Sequence, residues 1–222
     1  MKDSFLYPII FMLITVLIFT GILAVMYRLS QGKIQAHIDD SYNRKVLITL
    51  AGVIAEKTGI AEDEIIAAYP ESYDEYIASI EVDSFERNVF AAVVDGEILG
   101  YAFEIAGNGL WGSMSALVSL NTELDTILEL RLVSQMETPG LGARIEEDWF
   151  LSQFKDRLFV YNPMSESDVS KKYEFIAETQ TPKDDSELRG VTGATITSGA
   201  VLQMLKDEIT YIYNAFEREE QL

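Results

Sequence analysis

The stretch Asn88-Val-Phe-Ala-Ala-Val-Val94-Asp95-Gly96-Glu97-Ile-Leu-Gly-Tyr-Ala-Phe-Glu-Ile105 decides the fold. Two apolar, β-branched and aromatic segments flank Asp-Gly. That dipeptide accepts the positive φ angles of a type I′ turn, so the pair reads as an antiparallel hairpin. Further along the chain, Ser113–Leu120 puts Met114, Ala116, Val118 and Leu120 on one face at period two, and residues 126–133 read as a fourth strand. Helical spacing returns at Ile145, Trp149 and Phe154, and a last helix carries Val201, Leu205, Ile209, Ile212 and Phe216 on one stripe. Hairpins followed by segregated helices predict an α+β domain with an antiparallel sheet and flanking helices.

Toward the N-terminus lies an acidic stretch, residues 61–75, and before it residues 34–56 turn from polar to apolar at helical spacing (Val46, Leu50, Ile54). This predicts a helix running into the domain. Residues 4–27 hold no charge, and as a helix they reach about 36 Å at ~1.5 Å per residue, against a hydrocarbon core of roughly 30 Å. The run ends in Met26-Tyr27-Arg28, without a small-residue cleavage site, so it reads as an uncleaved single-pass transmembrane anchor. Lys2 and the α-amine balance Arg28 and Lys33, so counting positive charge does not orient it. The expected division is residues 1–33 as anchor and juxtamembrane segment and residues 34–222 as the domain.

The chain has 222 residues with 36 acids against 17 bases, a formal net charge of -19. No basic field exists to hold a polyanion, which excludes nucleic acid as a partner. The absence of cysteine also excludes thiolate metal sites, Fe–S clusters and Cys nucleophiles, and a single histidine leaves little for a zinc site or a Ser-His-Asp triad. The histidine, His37, reads as an interfacial polar residue just past the anchor. Chemistry is left to carboxylates, hydroxyls or a bound cofactor, and no metal site is expected.

Three patterns remain. Gly107-Asn-Gly109-Leu110-Trp111-Gly112 satisfies G-x-G-x-x-G, but a strand pattern follows the glycines where a dinucleotide fingerprint needs a helix N-terminus. It reads either as a glycine-rich turn or as backbone opened for a flat ligand, with Leu110 and Trp111 as apolar surface. In Glu137-Thr138-Pro139-Gly140-Leu141-Gly142, Pro139 fixes φ and the two glycines are free to take positive φ, which leaves Leu141 on a rigid turn. Thr192-Gly193-Ala194-Thr195-Ile196-Thr197-Ser198 opens the last helix, where hydroxyls either cap the helix or join its free N–H groups around a phosphate. With the apolar stripe beginning at Val201, Thr197 and Ser198 are the natural caps.

The second and third patterns, about fifty residues apart behind one anchor, resemble the covalent-FMN subunits of ion-pumping redox complexes. These are the C subunit of the Na⁺-translocating NADH:quinone oxidoreductase (Na⁺-NQR) and the G subunit of the Rnf complex. Gly109-Leu-Trp-Gly-x-Met114 and Arg44-Lys-Val-Leu47 lean toward the former and the short chain toward the latter. The resemblance implies an electron-transfer subunit without an independent catalytic site, working in an ion-translocating oxidoreductase beside other membrane subunits. It implies FMN whose phosphate is esterified by a separate flavin transferase to Thr195, with Thr138 and Leu141 near the isoalloxazine. It also implies a plasma (inner) membrane location with the domain on the extracytoplasmic side. The family motif often begins with Asp three residues before the first hydroxyl, and Arg189 stands there in this chain. A free-standing covalent flavoprotein and a flavin-free membrane-tethered binding or assembly module share the composition and the anchor.

Overall fold

The structure is a computed structural model that describes residues 6–82, 85–159 and 172–219. It divides into two compact units, residues up to Tyr42 and residues from Asn43. Helix α1, Leu6–Thr58, supplies the first unit and the start of the second. It is the one helix among the described residues long and apolar enough to cross a membrane. Its large apolar side chains from Leu6 to Tyr27 are exposed on all sides, which suits contact with lipid rather than a protein core. His37 is exposed on the same helix.

In the second unit, the short helices α2, Glu62–Ala67, and α3, Glu71–Tyr76, occupy the acidic stretch. A five-stranded antiparallel sheet follows in sequential order: β1 Ile77–Val82, β2 Phe85–Val94, β3 Glu97–Asn108, β4 Ser113–Leu120 and β5 Ile127–Ser134. The β2–β3 hairpin turns at Asp95 and Gly96 with φ of 54° and 79°, the type I′ signature its sequence predicts. β4 has the bounds read from its alternation. β1 lacks a counterpart in the sequence reading, because its Ile-Ala-Ser-Ile-Glu-Val pattern follows an acidic run and a bulge between Ile80 and Val82 breaks the register with β2.

Both faces of the sheet are covered. On one, Phe103, Ile105, Met114, Ala116, Val118 and Leu120 pack with Val201, Leu205, Ile209 and Ile212 of helix α5, Thr195–Glu219, in one core cluster. Phe103 sits at the centre of a ring cluster, 5.7 Å from Phe85 and 5.6 Å from Phe216. On the other face, Leu117 and Ser119 of β4 are buried too, and Ser119 Oγ donates to the Thr49 carbonyl of α1 at 2.7 Å. Lys45 Nζ reaches the Leu132 and Val133 carbonyls of β5 at 3.2 and 3.1 Å. Val46, Leu47, Leu50, Ala51 and Ile54 are fully buried on this layer.

The segment expected to be one helix around Ile145, Trp149 and Phe154 is instead three turns: a 3-10 turn Gly142–Glu146, helix α4 Asp148–Leu151 and a 3-10 turn Ser152–Phe154. Glu147 breaks it with an extended ψ of 137° and serves as the N-cap residue of α4, its carbonyl accepting the Phe150 N–H at 2.9 Å. The break rotates the second half, so Phe150 is fully buried and Trp149 half-buried. A parallel pair, β6 Glu174–Ile176 and β7 Glu187–Arg189, precedes α5. Phe103→Ala empties the ring cluster and should cost about 3–5 kcal/mol. Urea unfolding of the full chain in detergent, followed by tryptophan fluorescence, reads this as a lower midpoint with an unchanged slope.

Candidate functional site

The three patterns meet at one cleft of about 290 Å³. The glycine-rich segment is the β3–β4 hairpin loop, closed by the Gly109 N–H donating to the Gly112 carbonyl at 2.8 Å. It is therefore not a phosphate loop, as the strand pattern after it predicts. In the second pattern the Thr138 carbonyl accepts the Leu141 N–H at 3.1 Å, with Pro139 and then Gly140 at φ 75° between them, as in a type II turn. Gly142 has no positive φ; there a side chain is excluded for lack of space. A Cβ would lie 2.6 Å from Glu137 Oε2 and 3.1 Å from Thr197 Oγ1.

Glu137 ties the three segments together. It is only 6% exposed, and its Oε1 accepts the Trp111 N–H at 3.0 Å while its Oε2 accepts the Thr197 hydroxyl at 2.7 Å. Gly109 faces it from the hairpin loop, where a Cβ would clash with Oε1. Leu110, Trp111, Leu141 and Ile196 form apolar walls around the cleft and are all exposed, Trp111 at 69%.

In the third pattern, the Ala194 N–H donates to the Val191 carbonyl at 3.0 Å across Gly193, whose φ is 78°. Helix α5 then begins at Thr195, earlier than the apolar stripe suggests, so Thr197 and Ser198 lie inside its first turn and do not cap it. Both are buried: Thr197 donates to Glu137, and Ser198 Oγ accepts the Val191 N–H at 3.0 Å. Ser198 N–H donates to the Ala194 carbonyl at 2.9 Å. The amides of Thr195, Ile196 and Thr197 thus precede the first intrahelical bond, at the positive end of a 25-residue helix. Of the four hydroxyl residues, Thr192 and Thr195 are exposed, and of these two only Thr195 lines the cleft. Thr138, Gly142, Gly193 and Ala194 line it as well; Pro139, Gly140, Thr192 and Ser198 shape the turns beside it.

A charged clasp behind the Thr192 turn escapes sequence reasoning. Arg144 binds Glu178 with Nη1 at 3.1 Å and Nη2 at 2.7 Å and also binds Glu147, while Glu178 Oε2 accepts the Thr192 N–H at 2.8 Å. The Arg144 guanidinium, then the Thr192 amide, hold the Glu178 carboxyl down at about 2, and Arg144 itself is pushed up, chiefly by Glu178. Its one sequence signal is a lone base directly after the second pattern. Arg189 stacks over Trp149 at 5.3 Å and does not line the cleft. No group of three or more metal-ligating side chains occurs among the described residues.

Exposed apolar walls beside free helix N-terminal amides match a ligand with a flat apolar ring and a phosphate. FMN has both parts, so the residues present fit it. Residues 109–210 match the family model described as the FMN-binding domain. The chain is 27% identical over 222 residues, 98% of each chain, to the G subunit of the ion-translocating oxidoreductase complex of Pasteurella multocida. It is 27% identical over 127 residues, 57% of this chain and 60% of the other, to the G subunit of the proton-translocating ferredoxin:NAD(+) oxidoreductase complex of Clostridium ljungdahlii. The matched part spans between 53% and 60% of the length of three such proteins. The C subunit of the Na(+)-translocating NADH-quinone reductase of Parabacteroides distasonis shares the fold, with a TM-score of 0.54 at 24% identity over 80% of this chain and 92% of that one.

The clasp should be sensitive to acid. The folded Glu178 carboxyl lies below its ordinary 4.5, so its contribution is present above pH 4.5 and is lost as pH falls toward 2. Protection of the Thr192 amide from hydrogen exchange should decline across that window. In Arg144→Ala the decline should begin at higher pH.

Proposed function

We propose that this chain is a membrane-anchored electron-transfer subunit of an ion-translocating oxidoreductase complex of the Rnf or Na⁺-NQR type, with FMN esterified through its phosphate to Thr195. The carrying observation is that Thr195, the first residue of α5, is the exposed hydroxyl inside the cleft where all three patterns meet. The matches to the FMN-binding domain and to the two G subunits support the same reading.

When bound, the flavin supplies the one- and two-electron chemistry. The chain's own residues hold and orient it. The amides at the start of α5 and the dipole behind them stabilise the phosphate, and Gly193 and Ala194 keep bulk low beside Thr195. Leu141 on its turn and Leu110 and Trp111 on the hairpin loop flank the ring. Glu178 and Arg144 fix the Thr192 turn from behind, so that Thr195 meets the phosphate in one orientation. Attachment requires a separate flavin transferase. An FMN monoester carries about two negative charges at neutral pH, whereas a threonine diester carries one. Esterification therefore lowers repulsion in a chain of net charge -19.

In this reading residues 1–33 anchor the protein in the plasma membrane, and residues 34–222 lie on the extracytoplasmic side among the other subunits of the complex. Protease added to intact spheroplasts should cleave the domain; protection there, with cleavage in inverted vesicles only, reverses the orientation.

Thr195→Val keeps the shape of the helix start and removes the ester oxygen. Co-expressed with a flavin transferase, the native chain should give a fluorescent band on a denaturing gel under ultraviolet light, and the variant a folded protein whose band is dark. A band that still fluoresces, with the flavin mass mapped by peptide fragmentation to another hydroxyl, moves the attachment there.

A further inference from the structure

We propose that the Glu137 carboxylate, besides tying the three segments together, sets the reduction potential of the flavin and holds it low; this rests on the flavin reading above. The carboxylate is buried and lines the cleft together with Leu141 and Thr195. The two donors that meet its oxygens, the Trp111 amide and the Thr197 hydroxyl, are both neutral. The two bases nearest in sequence are committed elsewhere, Arg131 to Glu129 and Asp148 and Arg144 to Glu147 and Glu178. The negative charge therefore has hydrogen bonds to hold it in place but no cation among these partners to cancel its field.

A structural tie alone does not need that charge. A glutamine amide at position 137 accepts from the Trp111 N–H through its oxygen and donates to the Thr197 oxygen through its nitrogen, making the same bridge. Burying a carboxylate is far more costly than burying an amide. The surroundings nevertheless admit one, with Gly109 and Gly142 both stripped of side chains beside its oxygens.

The consequence for reduction follows from charge balance. Oxidised flavin takes up two electrons and one proton to give the reduced anion, or two electrons and two protons to give the neutral reduced form. The electrons come from a low-potential donor outside the chain. In the first case the ring system gains one negative charge. Because the carboxylate is buried, its repulsion of that charge is screened less than it would be between two groups in water. The equilibrium is pushed toward oxidised flavin and the midpoint falls.

The test is a spectroelectrochemical titration at pH 7 of the full-length flavinylated protein in detergent, native and Glu137→Gln. Removing the charge while keeping the bridge should favour reduction at least tenfold, a rise of about 30 mV for a two-electron couple. Thr197→Val serves as the counterpart, since it keeps the carboxylate and deletes a donor that disperses its charge, so its midpoint should not rise. General loosening of the cleft would move both variants the same way. A Glu137→Gln midpoint at or below the native value, or a rise in both variants, overturns the proposal. Where Glu137→Gln yields no flavinylated protein, Thr197→Val alone decides: a fall supports the proposal and any other result overturns it. A native chain without flavin overturns the flavin reading and this proposal together. Native flavin with an unmoved Glu137→Gln midpoint overturns this proposal alone.

Discussion

A buried carboxylate that accepts one backbone N–H and one hydroxyl organises the whole cleft. Glu137 meets Trp111, 26 residues before it, and Thr197, 60 residues after it, so a hairpin loop, a turn and a helix start are pinned to one another. Leaving either oxygen without its donor would cost roughly 1–3 kcal/mol or more, since a buried acceptor forgoes water. Both donors are therefore part of the fold, and so is the space around the acid. Gly109 and Gly142 have room for nothing larger than hydrogen beside its oxygens. The glycine spacing of two separate patterns is then one steric requirement seen from opposite sides.

The sheet makes that meeting possible. β3 and β4 pair continuously from Tyr101 with Leu120 to Asn108 with Ser113, which carries the hairpin loop to the end of the sheet nearest the cleft. Helix α5 lies along the same face, so its first turn arrives beside the loop while the rest of its length buries Val201, Leu205, Ile209 and Ile212. Covering the opposite face with residues 43–58 stiffens this platform. Ser119 and Lys45 bond there to backbone carbonyls of α1 and β5, so these two polar groups are paired rather than stranded.

Where local pattern determines structure, the sequence was readable. Asp95-Gly96 admits a single good hairpin turn, the alternation of Ser113–Leu120 has one apolar face, and the stripe from Val201 to Phe216 recurs at helical period. What escaped depended on contacts that the local pattern does not display. β1 is a strand because β2 offers it an edge, and its six residues carry too little alternation to announce this. The helix expected around Trp149 breaks at Glu147, whose ψ of 137° is extended and whose side chain binds Arg144 and the Trp149 indole. Thr197 and Ser198 looked like caps because hydroxyls at helix starts usually are. Their oxygens serve Glu137 and Val191 instead, and that could be seen only once residues 60 and 7 positions away were in place. The residues that line the cleft all stand in the three patterns; the bonds joining them were not legible.

The openness of the cleft gives the proposed covalent attachment a physical rationale. Sites that retain a cofactor by contact alone bury most of its surface, commonly about 70–90% for a ligand of this size. Here the walls are a few large apolar side chains that remain substantially exposed, Trp111 and Ile196 by more than 60%. A ring resting against them keeps one edge toward solvent or a partner, which favours electron exchange and weakens retention. The proposed ester to Thr195 would separate the two demands. Retention would pass to a bond at the rigid start of α5, where helix amides already favour a phosphate, and the walls would need only to orient the ring. A deeper pocket would hold the flavin without the ester but would hide the edge that electrons must reach. In the electron-transfer subunit proposed above, a shallow cleft with a covalent tether would satisfy both requirements.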